Sequence, residues 1–260
     1  MATYLDRILD RHREVAAAET RSLADLVAAA RDLPPARGFR DALARDAVDR
    51  LAVISEIKRR SPSKGDLNAG LDPEVMARTY ESGGASCLSV LTDVEFFGGS
   101  VADLQSARAA CSLPVIRKDF TVSPFDVADA RLMGADCVLL IAAALGVDEL
   151  AELHGLALDL GLDVLVEIHD EHELASALAA GATLIGVNQR DLVTFQVDHE
   201  RAVRIAGVIP DGVVKVAESG VRGEADARSL RAAGYHAILV GETLVTAPDP
   251  AGALATLRVP

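Results

Sequence analysis

The sequence predicts an α/β chain folded as a single (β/α)₈ barrel, the TIM-barrel architecture, over residues 1–260, with residues 1–48 as an amino-terminal helical extension. Three observations predict it. Eight short apolar runs alternate with Ala-rich amphipathic stretches from residue 52 onward. Glycines recur at the joints that lead from the stretches into the runs. Charged and amide side chains gather at one end of the runs and are sparse at the other.

The amino-terminal part reads as helix. Tyr4, Leu5, Ile8, Leu9, His12 and Val15 share one face at helical spacing. Ser22, with Asp25 three positions on, offers an N-cap, and Leu23, Leu26, Val27 and Ala30 continue an apolar stripe that Pro34-Pro35 stops. Gly38 through Asp46 reads as a further short helix, and no strand signal precedes residue 51. The eight runs are Ala52–Ile57, Ser86–Leu91, Pro114–Arg117, Cys137–Ile141, Asp163–Val166, Thr183–Val187, Val213–Val216 and Ala237–Val240. They are apolar throughout instead of alternating, as strands buried on both faces of a parallel sheet are. Helices such as Val147–Leu160 lie between them. Gly84-Ala85, Gly134-Ala135, Gly181-Ala182 and Gly234-Tyr235 each close a helical stretch just before a run, where glycine can take the left-handed conformation. The run ends are spaced by about 20 to 35 residues, room for a loop, a helix and a return strand. An open doubly wound sheet is the runner-up. It calls for a glycine fingerprint after the first strand, and Glu56-Ile57-Lys58-Arg59-Arg60 is not one.

Composition excludes several classes. With 26 Lys+Arg against 39 Asp+Glu the net charge is −13, which disfavours nucleic acid and anionic membranes as partners. Six Phe, three Tyr and no Trp suit base stacking badly. Cys87, Cys111 and Cys137 form no Cys-x-x-Cys pair and match no zinc spacing, so buried thiols in a reducing, cytoplasmic setting are expected. Met1 through Arg7 has no apolar core for a signal peptide, and no apolar run is long enough to span a membrane.

In a barrel the chemistry sits at the carboxyl ends of the strands. Those ends hold Glu56 and Lys58, Lys118, Glu167, Asn188 and Glu218. Three carboxylates, two lysines and an amide at one mouth are costly to bury unless they are paired or used. His169 and His172 flank Asp170 and Glu171; Asp170 reads as a helix cap, and His-x-x-His is the wrong spacing for a helical zinc pair, so no metal is expected. Two anion sites suggest themselves: the loop Ser61-Pro62-Ser63-Lys64-Gly65, and the glycines at 220 and 241 after the last two strands.

The blocks ISEIKRRSPSKG (54–65), LSVLTDVEFFGGS (88–100), PVIRKDF (114–120), VLVEI (164–168), IGVNQRDL (185–192) and AESGV (217–221) resemble those of the indole-3-glycerol-phosphate synthase family, and the resemblance covers essentially the whole chain. It implies that residues 1–48 lie as a helical extension over the barrel mouth, and it implies a cofactor-free carboxy-lyase of tryptophan biosynthesis. The reaction closes the ring of 1-(2-carboxyphenylamino)-1-deoxyribulose 5-phosphate, with loss of carbon dioxide and then water. The resemblance also implies roles. Lys118 resembles the general acid and Glu167 the base, with Lys58 a second proton-transfer candidate. Glu56 and Asn188 resemble groups holding the sugar hydroxyls and the lysines, and Glu218 a contact to the anilino nitrogen or a hydroxyl. Arg190, Lys58 and Ser61 are expected at the anthranilate carboxylate, and Pro62, Phe97, Phe120, Leu140 and Leu192 around the ring. Ser219, Gly220, Gly241 and the backbone of Glu242 are expected at the phosphate; some relatives carry Ser in place of Glu242. Gln189 stands where Asn is expected, its side chain turned from the mouth. The resemblance implies a monomer making at most weak contacts with other tryptophan-pathway enzymes. The rivals are a related isomerase, phosphoribosylanthranilate isomerase, which needs a Cys-and-Asp pair that these strand ends lack, and a non-catalytic phospholigand barrel.

Overall fold

Residues 3–61, 64–191 and 196–260 are described by a computed structural model of the chain. Three helices come first: α1 (Tyr4–Ala17), α2 (Leu23–Arg31) and α3 (Phe39–Asp46). Thr3 and Asp6 cap α1 reciprocally, and the Ser22 hydroxyl accepts from the Asp25 N–H at the head of α2. Eight strands follow: β1 (Ala52–Ile57), β2 (Cys87–Leu91), β3 (Val115–Lys118), β4 (Cys137–Ile141), β5 (Asp163–Ile168), β6 (Leu184–Asn188), β7 (Val214–Glu218) and β8 (Ala237–Val240). They pair in parallel, in chain order, and β8 closes back on β1.

Helices fill the crossovers: α4 (Pro73–Gly83), α5 (Val101–Ala110), α6 (Pro124–Leu132), α7 (Val147–Asp159), α8 (Glu171–Ala179), α9 (His199–Ala206), α10 (Glu224–Ala232), α11 (Glu242–Val245) and α12 (Pro250–Leu257). Gly84, Gly134, Gly181 and Gly234 all take left-handed φ values, 87° to 96°, at the ends of α4, α6, α8 and α10. The repeated glycine is therefore a repeated helix stop.

Strands that run past their apolar runs have one physical cause. β5, β6 and β7 continue into Glu167-Ile168, Asn188 and Glu218, because the ladder runs through the polar ends: Glu167 pairs with Gly186 and Asn188 with Glu218. Side-chain polarity marks what faces the mouth, whereas the backbone decides where the strand ends. A small antiparallel pair, Arg60–Ser61 with Gly65–Asp66, follows β1; two residues a side leave no periodicity to read.

The core has two shells. Outward residues such as Val53, Leu88, Val138, Leu140 and Ile185 pack under the helices, while Ile54, Cys87, Ile116, Cys137, Leu139, Leu165 and Val216 fill the barrel. Of residues 1–48, expected over the mouth, only α1 lies there. α2 packs on α6 at the flank. α3 plugs the opposite end: Phe39 and Leu43 are fully buried against the barrel filling, Cys87 donates its S–H to Phe39 O, and Asp163 accepts from Arg40 N–H at 2.9 Å. The barrel bottom is an apolar opening, and an amphipathic helix is the cheapest cover for it. No described helix is long and apolar enough to cross a membrane.

Candidate active site

Alternation along a strand sends every second side chain to the barrel axis. On the odd strands this stacks Ile54, Ile116, Leu165 and Val216 in one layer. It puts Glu56, Lys118, Glu167 and Glu218 in the next, nearer the mouth. The even strands supply Ser89, Leu139, Gly186 and Leu239, then Leu91, Ile141, Asn188 and Gly241. Four ionisable side chains thus occupy a level that a barrel ordinarily fills with branched aliphatics.

Two glycines of the even strands make room for that level. A Cβ on Gly186 would stand 1.9 Å from Glu218 Oε1, and one on Gly241 would stand 2.5 Å from Glu56 Oε1. Both carboxylates lie where a neighbouring strand has no side chain.

The charges compensate one another. Lys58 Nζ is 2.5 Å from Glu56 Oε1, and Ser89 donates to Glu56 Oε2. Lys118 Nζ is 3.6 Å from Glu167 Oε2, and Asn188 Nδ2 donates to Glu167 Oε1 at 3.1 Å. Burial disfavours every one of these charges. For Lys118 the carboxylates of Glu167, Glu218 and Glu56 outweigh it and hold the ammonium above its ordinary range. Burial likewise raises Glu56, but Lys58 and Lys118 reverse the sign, so Glu56 sits below the carboxylate range. Glu167 also ends low, through Lys118, His169 and Asn188. Glu218 has burial and the Glu167 charge against it, and rises well above the carboxylate range. One proton between two neighbouring carboxyls therefore rests on Glu218, and Glu167 stays ionised.

A cavity of about 460 Å³ opens above this layer. Fourteen sequence-identified residues border it: Glu56, Lys58, Ser61, Phe97, Lys118, Phe120, Glu167, Asn188, Arg190, Glu218, Ser219, Gly220, Gly241 and Glu242. Pro62 and Leu192 lie outside the described residues. Leu140 is a correction. It points outward into the helix-facing shell, and its neighbour Ile141 borders the cavity. The run Cys137–Ile141 is apolar on both faces, so apolarity alone does not tell which residue faces in. Register does, since Ile141 stands beside Glu167.

Phe97 and Phe120 meet at 6.1 Å between ring centres and wall one side, joined by Leu91, Ile141 and Leu239 and by Tyr4, Leu5 and Ile8 of α1. The α1 residues carried a helical stripe in the sequence but nothing that marked them as cavity lining. On the opposite side Ser219 is the one non-glycine among the described residues at positive φ, 68°, followed by Gly220 at 76°. A Cβ on Gly220 would stand 2.4 Å from Val197 Cγ1, and Val197 is itself bridged to Arg190 at the rim. The Glu242 carboxylate is drawn to Lys64 Nζ at 2.5 Å, which ties the loop after β1 to the head of α11. Lys64, from the loop that the sequence offers as an anion site, also borders this end, as do Arg222, Thr243 and His199, which no motif marks. Gln189 is fully buried and does not border the cavity; its amide donates to Ser219 O at 2.8 Å.

Asp170 caps α8 through the Glu173 N–H, and His172 is exposed on that helix. Among the described residues, His12, Asp93 and Asp119 bring three metal-ligand atoms together at the rim. Asp119 is already matched by Arg117 at 3.1 Å, so the trio reads as an ion-pair cluster.

The family model described as indole-3-glycerol phosphate synthase matches residues 5–257. An indole-3-glycerol phosphate synthase of Rhodopirellula baltica is 47% identical over 249 residues, covering 95% of each chain. Among solved structures, 3-hexulose-6-phosphate synthase from Salmonella typhimurium superposes with a TM-score of 0.65 at 14% identity, covering 80% of this chain and 96% of its own. Thiamine phosphate pyrophosphorylase from Pyrococcus furiosus reaches 0.60 at 16% identity, covering 82% and 95%. At such identities these two structures speak to the barrel alone.

Proposed function

The chain belongs to the indole-3-glycerol phosphate synthase family, and from that premise we propose how its cavity carries out the reaction on 1-(2-carboxyphenylamino)-1-deoxyribulose 5-phosphate. The enzyme is a carboxy-lyase of tryptophan biosynthesis, and its substrate is a phosphorylated small molecule. The observation that carries the assignment of roles is the layer of Glu56, Lys118, Glu167 and Glu218, with Lys118 3.6 Å from Glu167.

Ring closure needs an electrophilic carbonyl and a folded substrate. The Lys118 ammonium faces the C2′ carbonyl oxygen. It stabilises the alkoxide that forms as the ring carbon bearing the carboxylate attacks, and gives it a proton. Loss of carbon dioxide restores the aromatic ring. Dehydration follows: the C2′ hydroxyl leaves as water with a proton from Lys58, the second proton-transfer group, while ionised Glu167 takes the proton from the adjacent C1′. Glu218, kept protonated, donates a hydrogen bond to the anilino nitrogen or a hydroxyl. Glu56 and Asn188 hold the lysines and the sugar hydroxyls. Arg190, Lys58 and Ser61 bind the anthranilate carboxylate, and Phe97, Phe120 and Ile141 wall the ring. Backbone N–H groups of Ser219, Gly220, Gly241 and Glu242 bind the phosphate. No metal ion or organic cofactor enters this scheme.

Residues 1–260 are read as one barrel domain, with 1–48 as its helical extension, working as a cytoplasmic monomer. The test is direct. The chain has no Trp, so an indole product fluoresces over a low protein background. Incubation with the carboxyphenylamino sugar phosphate should release that signal together with carbon dioxide, unchanged by a chelator. Absence of both products would refute the reading, and chelator inactivation reversed by a divalent ion would refute its metal-free part.

A further inference from the structure

Strand β5 leads into a titratable side chain that this scheme leaves unused. His169 follows Glu167 by two residues, so alternation turns both toward the same side. Its side chain is 11% exposed. Nδ1 lies 3.1 Å from Glu173 Oε2, an oxygen that also accepts the His169 backbone N–H at 2.7 Å. Nε2 is buried, has no hydrogen-bond partner, and faces Glu167 Oε1 at 3.6 Å. Each ring nitrogen therefore faces a carboxylate. A neutral imidazole keeps a lone pair on one nitrogen, which here would point at a carboxylate oxygen; only the imidazolium presents N–H on both sides.

We propose that His169 is held as an imidazolium behind the site, as a positioning residue that makes Glu167, and not Glu218, the ionised member of the carboxyl pair. It draws on Oε1, which Asn188 also holds, and leaves Oε2 toward Lys118 and the substrate. Without such a charge on one side, two buried neighbouring carboxyls compete for one proton on nearly equal terms. The groups facing the ring are Glu167 on β5, Glu173 on α8 and Arg201 on α9. Burial and Arg201 oppose the imidazolium, the two carboxylates favour it, and the balance lies on the charged side. Glu173 sits in the first turn of α8, its side chain 17% exposed, and does not border the cavity.

This inference rests on the reading of Glu167 as the base, and the experiment separates the two. In the unliganded wild-type chain, ¹⁵N spectra of the His169 ring should show protons on both nitrogens at pH 7. In His169→Gln, which keeps a donor and removes the charge, the acid limb of kcat/KM should move up by about one pH unit or more, with KM changed less than about twofold. Glu173→Gln should move it the same way by less. An unshifted acid limb in His169→Gln, or a bare ring nitrogen at pH 7 in the wild type, would overturn the proposal. Full activity of Glu167→Gln would instead overturn the base assignment, and the ring spectrum would still decide the charge of His169.

Discussion

Lys118 is the one cation in a layer with three carboxyls, and its consequences reach past proton donation. It offsets the burial of Glu56 and Glu167 together. Lys118→Met keeps the aliphatic volume and removes the ammonium. Turnover should fall by at least about 100-fold, the scale of a general-acid contribution, with the circular dichroism spectrum unchanged; wild-type-like turnover would end the assignment. At the other end of the cavity, Glu242 and Gly241 are adjacent but should fail differently. Glu242→Gln releases Lys64 from its ion pair and removes a negative charge near the proposed phosphate position, so KM should stay level or fall slightly. Gly241→Val strikes the Glu56 carboxylate as well as the phosphate approach, so kcat should drop along with a sharp rise in KM. A variant at 241 with only KM altered would show that Glu56 has room to yield.

At the scale of strands, glycine placement and side-chain parity decide the site. Gly186→Ala puts a Cβ at 1.9 Å from Glu218 Oε1, so the carboxyl must swing out of the place it holds in the layer and into the cavity. Activity should fall by about tenfold or more while the fold survives with some loss of stability, read as kcat beside a thermal unfolding curve; an unaltered kcat would mean that the Glu218 position is immaterial. The same geometry explains what the sequence made legible. Charged strand ends stand out against apolar runs, so Glu56, Lys118, Glu167, Asn188 and Glu218 were visible one by one. Their convergence at one mouth follows from parity once a barrel is assumed. Parity itself is invisible where both faces of a strand are apolar, so nothing in Cys137–Ile141 tells the outward Leu140 from the inward Ile141. Gly186 carried no signal either: its role exists only because Glu218 leans over it from the next strand. The helix-stop glycines were legible because their cause is local.

Over the whole molecule, a net charge of −13 must coexist with a mouth that gathers Lys58, Lys64, Lys118, Arg190 and Arg222. α1 completes that mouth, and what docks it is therefore functional. Arg11–Glu95 and Arg13–Glu149 are solvent-exposed pairs that contribute little. His12 is different. Its Nε2 lies 3.1 Å from Asp93 Oδ2 and 3.7 Å from Asp119 Oδ1, and its ring packs 5.5 Å from Phe120. Burial opposes the imidazolium, but the Asp93 hydrogen bond and the Asp119 charge prevail, so His12 titrates above its ordinary value. A raised folded value means stabilisation that is complete below the free-histidine pKa, about 6.5, and lost as pH climbs through the folded value. Asp93 is opposed by its own burial but held low by His12 and by the Phe96 and Phe97 N–H groups, so it stays ionised across that range. As pH rises through the His12 titration, α1 should loosen, and Tyr4, Leu5 and Ile8 should leave the cavity wall. KM should then climb while kcat, set by the layer beneath, holds steady. His12→Gln should show the high-pH KM at every pH. The check is KM against pH for both proteins beside the NMR titration of the His12 ring. A flat KM in the wild type, matched by His12→Gln, would mean that apolar contacts such as the Tyr4–Phe96 edge pair at 6.0 Å hold α1 unaided.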